Sequence, residues 1–293
     1  MYIIFYYNSI KLGGFIMIRI LVDSSSDILV NNSENITVVP LSITLDNKTY
    51  LDGVELGHDE FYNMLVNTDD FPKSSQPAPQ LFVDAFEKAK ANNDTLICIM
   101  LSSGVSGTYQ SAVLAKNIVE YDNIYIIDSL TGSAGTILLA TEAQKMIAQN
   151  LPVKEIVAKL EELKNHTMVY LSVETLEYLY KGGRLDKTAA LVGSIAKVKP
   201  IIYVTREGTI GVAGKAIGNN RAMNALVDVT KENPVDTDHE FYTICTLGTK
   251  NVEKLEAKLQ ESGITNIHRI QMGPVVGTHT GPEAYGIIYM KKH

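Results

Sequence analysis

The 293-residue chain has no tryptophan and only two cysteines, too few for a disulfide framework. Cys98 and Cys245 each sit alone inside an apolar, strand-like run, where cysteine behaves as a small buried hydrophobe. Reduced thiols and a cytoplasmic location are therefore expected. The six histidines form no H-E-x-x-H and, with the cysteines, no paired metal-ligand spacing, so no metal or cofactor is expected. No Walker A motif occurs. The nucleophile elbow G-x-S-x-G is missing too, since the nearest sequence is Gly104-Val-Ser106-Gly-Thr108. Basic blocks are absent from a chain of net charge −7, which removes the electrostatic footprint of a nucleic-acid binder. No apolar run is long enough to span a bilayer, so membrane contact is expected to be at most transient.

What is present is an ordinary globular composition, 45% hydrophobic and 20% charged, on a chain long enough for two cores. Residues 1–16 are apolar but lack the charged start and cleavage site of a signal peptide. Gly13-Gly14 reads as a translated ribosome-binding sequence just upstream of a true start at Met17. A peptide from residues 2–16 in mass spectrometry of the native protein would refute this.

The rest is organised around Thr95-Leu-Ile-Cys-Ile-Met-Leu-Ser-Ser-Gly-Val-Ser-Gly-Thr108. A continuous apolar run ends at Leu101, small hydroxylated residues and two glycines follow, and an amphipathic pattern begins within a few residues: strand, turn, helix. Helix N-termini attract anions, and Ser103, Ser106 and Thr108 add hydroxyl donors. The same serines serve equally well as helix caps, and the turn alone does not choose.

Ile18–Val22 before Asp23-Ser-Ser-Ser-Asp27, and Asn123–Ile127 before Asp128-Ser129, repeat the pattern of a buried strand delivering a polar loop. Ile36–Leu45 reads as β-structure turned by Asp46-Asn47-Lys48 into a hairpin. Phe71–Pro79 reads as an extended, proline-fixed loop holding Ser74, Ser75 and Gln76. Helices are expected near Phe61–Leu65, from Pro79, over 132–149 and over 153–164. Strands alternating with helices predict a parallel sheet between helices, with a site beyond the strands' carboxyl ends. In the second half, strands at 168–172, 200–205, 209–213, 241–245 and 284–290 include a hairpin at Arg206-Glu-Gly208, and helices at 175–180, 188–196, 221–231 and 251–262 cover them. The α/β fold class is thus an N-terminal three-layer α/β/α domain, residues 17–165, with a mostly parallel sheet. A C-terminal two-layer α/β domain with a mixed sheet, residues 166–293, follows.

Ser74-Ser-Gln-Pro77, the 102–112 turn, Tyr180-Lys-Gly-Gly-Arg-Leu185 and Gly273-Pro-Val-Val-Gly-Thr-His-Thr-Gly-Pro282 stand out, beside Val22–Asp27 and Asp52-Gly53. Together, in this order from Met17 onward, they resemble the DegV family. That resemblance implies a non-catalytic fatty-acid-binding protein that buries a long acyl tail between its domains. It also implies a separate, dihydroxyacetone-kinase-like ATP-binding subunit that phosphorylates the carboxylate, as part of a fatty acid kinase serving phospholipid metabolism. By the same motifs, Ser74 and Ser106 would contact the carboxylate, Ser103, Gly107 and His279 would be neighbours, and Arg184, Lys215 and Arg221 would meet phosphate or the partner. Read from the residues alone, His279 is a satisfied structural histidine in a rigid loop and Arg184 a surface cation.

Burying a methylene is worth roughly 0.8 kcal/mol, so a long tail offers about 10 kcal/mol before ordering costs. The competing class is a serine esterase or thioesterase acting through Ser106 with His279 and an aspartate such as Asp186. One position departs from the family: relatives carry a strongly basic segment after the hairpin, and here Ile217 stands where an arginine is expected, between Lys215 and Arg221. This predicts normal fatty-acid binding with weak docking of a generic kinase subunit; with the alignment shifted by a residue or two, Lys215 or Arg221 supplies the charge instead.

Overall fold

The computed structural model describes residues 17–28, 36–185 and 197–293. The readings on residues 1–16, on a helix over 188–196 and on Asp186 lie outside the described residues.

The apolar run before the first acidic loop forms β1 (Ile18–Asp23), and the next β-branched run splits at Pro40 and Leu41. Its first half is β2 (Ile36–Val39), parallel to β1. Its second half is β3 (Ser42–Leu45), which turns through Asp46 and Asn47, both at positive φ, into β4 (Lys48–Leu51). After α1 (His58–Val66), the segment read as an extended loop is indeed extended, and it pairs as well: β5 (Lys73–Ser75) runs antiparallel to β3. Sequence gives extension through proline, whereas pairing depends on the neighbour the fold supplies.

Then come α2 (Pro79–Asn92), β6 (Thr95–Met100), α3 (Thr108–Val119), β7 (Ile124–Asp128), α4 (Ala134–Ala148) and α5 (Val153–Leu163). The four parallel strands lie in the order β2-β1-β6-β7. All six residues of β6 are buried, as a continuous apolar run in a two-sided parallel sheet requires.

The remaining elements are β8 (Thr167–Ser172), α6 (Glu177–Lys181), β9 (Val198–Val204), β10 (Ile210–Ile217), α7 (Asn219–Glu232), β11 (Phe241–Cys245), α8 (Lys250–Glu261), β12 (Ile267–Gln271), α9 (Pro274–Thr280) and β13 (Tyr285–Met290). They build a mixed six-stranded sheet, β10-β9-β8-β13-β11-β12, in which only the β11–β12 pair is parallel. Two of its elements differ from expectation. β12 was not anticipated, and the segment read as a rigid loop around His279 is the short helix α9, started by Pro274 at its first turn and stopped by Gly281 at φ 77°. Proline in a first helical turn lacks only an N–H that has no partner there, and glycine ends the helix without a Cβ penalty.

Packing joins the layers. One face of the parallel sheet (Leu21, Cys98, Met100) buries Phe82 and Phe86 of α2 and Ala112 and Ala115 of α3. The other face (Ile20, Ile97, Ile99) packs on Ile137, Leu138 and Ala143 of α4, and the same cluster continues to Val169, Leu171, Ile244 and Ile288 of the mixed sheet. That sheet's far face is covered by Met223 and Leu226 of α7 and Val252, Leu255 and Leu259 of α8. The layers therefore read helix, sheet, helix, sheet, helix, with α4 shared.

Candidate functional site

Beyond the carboxyl ends of the parallel strands, three polar loops meet as the strand pattern predicted. Asp23 accepts the Leu101 N–H at 2.6 Å, which ties the first loop to the central turn. Ser103 donates its hydroxyl to Asp128, and its N–H reaches the same carboxylate at 3.0 Å. Ser102 donates to the Gly208 carbonyl at 2.7 Å, which fastens the β9–β10 hairpin tip to the turn. Ser106 accepts the Thr108 N–H at 3.3 Å, and its Oγ lies 2.8 Å from Thr108 Oγ1. Much of the expected donor cradle is thus already bonded within the turn, as a cap and as ties between loops, which leaves side chains from other elements to complete a site.

Those come from three places. Antiparallel pairing of β5 on β3 sets Ser74 opposite Ile43. Helix α9 delivers His279, whose Nε2 is 2.7 Å from Ser74 Oγ. Arg184, after the Gly182-Gly183 turn, donates from Nε to the Val105 carbonyl at 2.9 Å and from Nη1 to the Gly182 carbonyl at 2.6 Å. Ser74, Ser106, Arg184 and His279 line one cleft, with about 800 Å³ of atom-free space counted out to the solvent. Its other walls are mainly aliphatic: Val169 and Leu171 of β8, Ile202 and Val204 of β9, Ile244 of β11, Ile288 of β13, and Val275 and Val276 of α9. A polar end thus adjoins an apolar chamber reaching the mixed sheet.

Not every predicted residue arrives there. Ser103 is turned to Asp128. Gly107 packs beneath the Gln76 side chain, whose amide oxygen would lie 1.7 Å from a Cβ at that position. Lys215 and Arg221 are exposed, on β10 and in the first turn of α7, away from the cleft walls, and Ile217 is 62% exposed on the same strand as Lys215. Sequence reading gave no role to Thr131, Ser133 or Thr280, which also line the cleft. Hydroxyl residues in loops and caps are too common for any signal to single these out.

The electrostatics are unusual for a histidine. Burial, reinforced by the Arg184 charge nearby, pushes His279 down to about 3, so it is neutral at physiological pH. Among the described residues its buried Nδ1 has no partner. An orphaned N–H is costlier than an orphaned lone pair, which has no proton to satisfy. The favoured tautomer therefore carries its proton on Nε2 and donates to Ser74, leaving the Ser74 hydroxyl free to donate elsewhere. Between about pH 3 and 6.5 the unfolded chain holds a proton here that the folded chain refuses. This group's contribution to stability is fully present above pH 6.5 and is lost as pH falls towards 3. We expect the His279 ring signals in an NMR titration to stay fixed from pH 5 to 8; a midpoint near 6.5 would contradict the assigned environment.

Burial also lowers the Arg184 guanidinium below its ordinary value, yet it stays charged in any neutral solution. The polar end thus brings a permanent cation and a neutral imidazole together with the hydroxyls of Ser74 and Ser106. In this structure His279 bonds to Ser74 and Ser106 to Thr108 rather than to each other, and burial holds the imidazole well below its ordinary range. Among the described residues no group of three or more His, Cys, Asp or Glu is placed to hold a metal ion, and no helix is long and apolar enough to cross a membrane.

The chain is similar along nearly its whole length to known proteins. A DegV domain-containing protein of Caldanaerobacter subterraneus subsp. tengcongensis is 36% identical over 279 residues, 94% of this chain and 99% of that protein. A Thermus thermophilus structure described as fatty acid binding of a DegV family protein superposes with a TM-score of 0.85 at 26% identity, covering 94% of this chain and all of that one. A DegV lipid binding protein of Thermotoga maritima gives 0.83 at 28% identity, covering 94% and 100%. The family profile described as "Uncharacterised protein, DegV family" matches residues 17–292, and on that match, with the relatives' agreement in length and fold, this chain belongs to the DegV family.

Proposed function

We propose that this protein binds a long-chain fatty acid and presents its carboxylate to a separate ATP-dependent kinase subunit. In this reading the ligand lies between an N-terminal unit, residues 17–165, and a C-terminal unit, residues 166–293. The observation that carries it is the Ser74–His279 hydrogen bond at the polar end of a cleft whose remaining walls are mainly aliphatic. Fatty-acid and lipid binding by the Thermus and Thermotoga proteins supports the ligand class.

The chemistry is consistent with the geometry. An aliphatic chamber takes up the tail, but a carboxylate leaving water needs its oxygens hydrogen-bonded. The Ser74 hydroxyl, oriented by His279, and the Ser106 hydroxyl donate to it, and Arg184 supplies a charge without a fixed ion pair. An oxygen held by hydroxyls keeps a lone pair to attack the γ-phosphorus of ATP on the partner, with ADP leaving and an acyl phosphate formed. This chain then acts as a carrier rather than a catalyst, in keeping with a Ser106 hydroxyl that bonds to Thr108 rather than to His279.

Titration with oleate tests the ligand. Ser74→Ala and Ser106→Ala should each weaken binding by about 1.5 kcal/mol, roughly tenfold, with the fold intact. The double variant should lose less than the sum, because both hydroxyls serve one carboxylate. Unchanged affinity in both single variants would remove the polar end from the binding site. The kinase step has its own test. Ile217 leaves an uncharged position on the exposed edge strand β10, so wild type should support a fatty acid kinase partner poorly and Ile217→Arg should raise acyl-phosphate formation with oleate affinity unchanged. Full activity of the wild type that is abolished in Arg221→Ala would assign the charge to Arg221 and refute the role of Ile217.

A further inference from the structure

The Met272–Gly273 peptide group, which leads into α9, is gripped on both edges from far along the chain. Its carbonyl, Met272 O, accepts the Tyr62 hydroxyl of α1 at 2.8 Å. Its N–H, on Gly273, donates to Asp27 Oδ1 at 2.8 Å. The other Asp27 oxygen accepts the Ser133 hydroxyl. All of these groups are buried. Asp27 adopts a left-handed backbone (φ 61°, ψ 12°) after a short 3₁₀ turn, and Ser133 sits at φ 51°, ψ −137°, a region that non-glycine residues enter only when their surroundings impose it. One carboxylate thus fixes the start of α9 and a strained residue of the cleft wall.

We infer that Asp27, with Tyr62, is a positioning residue for the head-group site: it sets where α9 begins, and through that two-turn helix where His279 meets Ser74. A helix this short has little internal rigidity, and its seven residues include Gly277, two valines and two threonines, all weak helix formers. Its place is set from outside. From below, Tyr62 and Phe61 pack against Gly277 so closely that a Cβ there would lie 2.4 Å from the Tyr62 hydroxyl. A slip at Gly273 moves His279 six residues on, and a histidine displaced by an ångström no longer orients the Ser74 hydroxyl. The inference rests on the head-group role proposed for Ser74 and His279.

The test compares Asp27→Ala, Asp27→Asn and Tyr62→Phe with His279→Ala, all in the full chain. Oleate affinity is read in all four, and the ring-nitrogen NMR signals of His279 in the three variants that keep the imidazole. Asp27→Ala should lower affinity about tenfold and shift the His279 signals. Asp27→Asn, which still accepts from Gly273 and donates its amide to Ser133, should restore both to near wild type. Tyr62→Phe removes only the carbonyl-side hydrogen bond, keeps the ring, and should shift the same signals with a smaller loss of affinity. It serves as the decisive variant if Asp27→Ala does not fold. Wild-type affinity and unshifted His279 signals in Asp27→Ala, or in Tyr62→Phe if the former is unfolded, would overturn the inference. Wild-type affinity in His279→Ala would instead overturn the head-group reading on which it rests.

Discussion

Alanine at position 182 is expected to lower oleate affinity about a hundredfold without removing a single polar group. Gly182 has an ordinary helical φ of −73°, so its backbone tolerates any residue. The obstacle is contact. A Cβ there would lie 2.3 Å from His279 Nδ1, 2.8 Å from its Cε1 and 2.9 Å from the Tyr178 carbonyl. The ring has nowhere to retreat except away from Gly182, since α9 is held at its start by Asp27 and from below by Tyr62. Overpacking of this kind costs about 1–3 kcal/mol, and the orienting hydrogen bond to Ser74 is lost as well. A hundredfold change corresponds to about 2.7 kcal/mol. Titration of Gly182→Ala beside the wild type checks it, and equal affinities would mean that the imidazole moves freely and does not set the head-group geometry.

The second large effect is on stability. Gly286 lies in β13, between β8 and β11. A Cβ there would lie 2.1 Å from the Tyr170 carbonyl oxygen and 2.8 Å from the Leu171 Cα, both backbone atoms of a paired strand that cannot turn aside. Gly286→Ala should therefore destabilise the protein by about 3 kcal/mol or more, measured by urea denaturation. A change below about 1 kcal/mol would show that the sheet opens at little cost. Leu171, which is paired with Gly286, and Ile288, two residues on, also wall the cleft, so the variant that still folds should bind oleate less tightly.

These two glycines mark what sequence conveys and what it does not. The parallel sheet was legible because its strands are continuous apolar runs ending in polar loops, Ile18–Asp27, Thr95–Ser106 and Asn123–Ser129, and the hairpin was legible in Arg206-Glu-Gly208. β12 was not, because Ile267-His-Arg-Ile-Gln belongs to an edge strand, where His268 faces Glu240 and Arg269 bonds Glu256; its polar residues mask the alternation. α9 was read as a loop because glycine, threonine and proline predominate, and tertiary contacts override their poor helix propensity. Of the site, the family motifs named Ser74, Ser106, His279 and Arg184, all of which the fold brings to one cleft. Ser103 reads as a neighbour of the site, but the proximity of Asp128, 25 residues on, decides that it faces a carboxylate. The Asp27–Gly273 bond spans 246 residues, a separation over which neither periodicity nor composition carries information.

The sharing of α4 by both sheets bears on how the molecule comes apart. Separating the sheets would strip Ile137 and Leu138 of neighbours on both sides at once, and a partly unfolded state with one sheet intact would expose a full apolar face to water. Loss of either sheet should therefore entail loss of the other, in a single cooperative transition. An acyl tail bound as proposed, in the cleft walled by Leu101 and Ser133 on one side and by strands of the mixed sheet on the other, would then brace the entire chain. Its binding free energy should appear as a rise in the one melting midpoint that grows with ligand concentration.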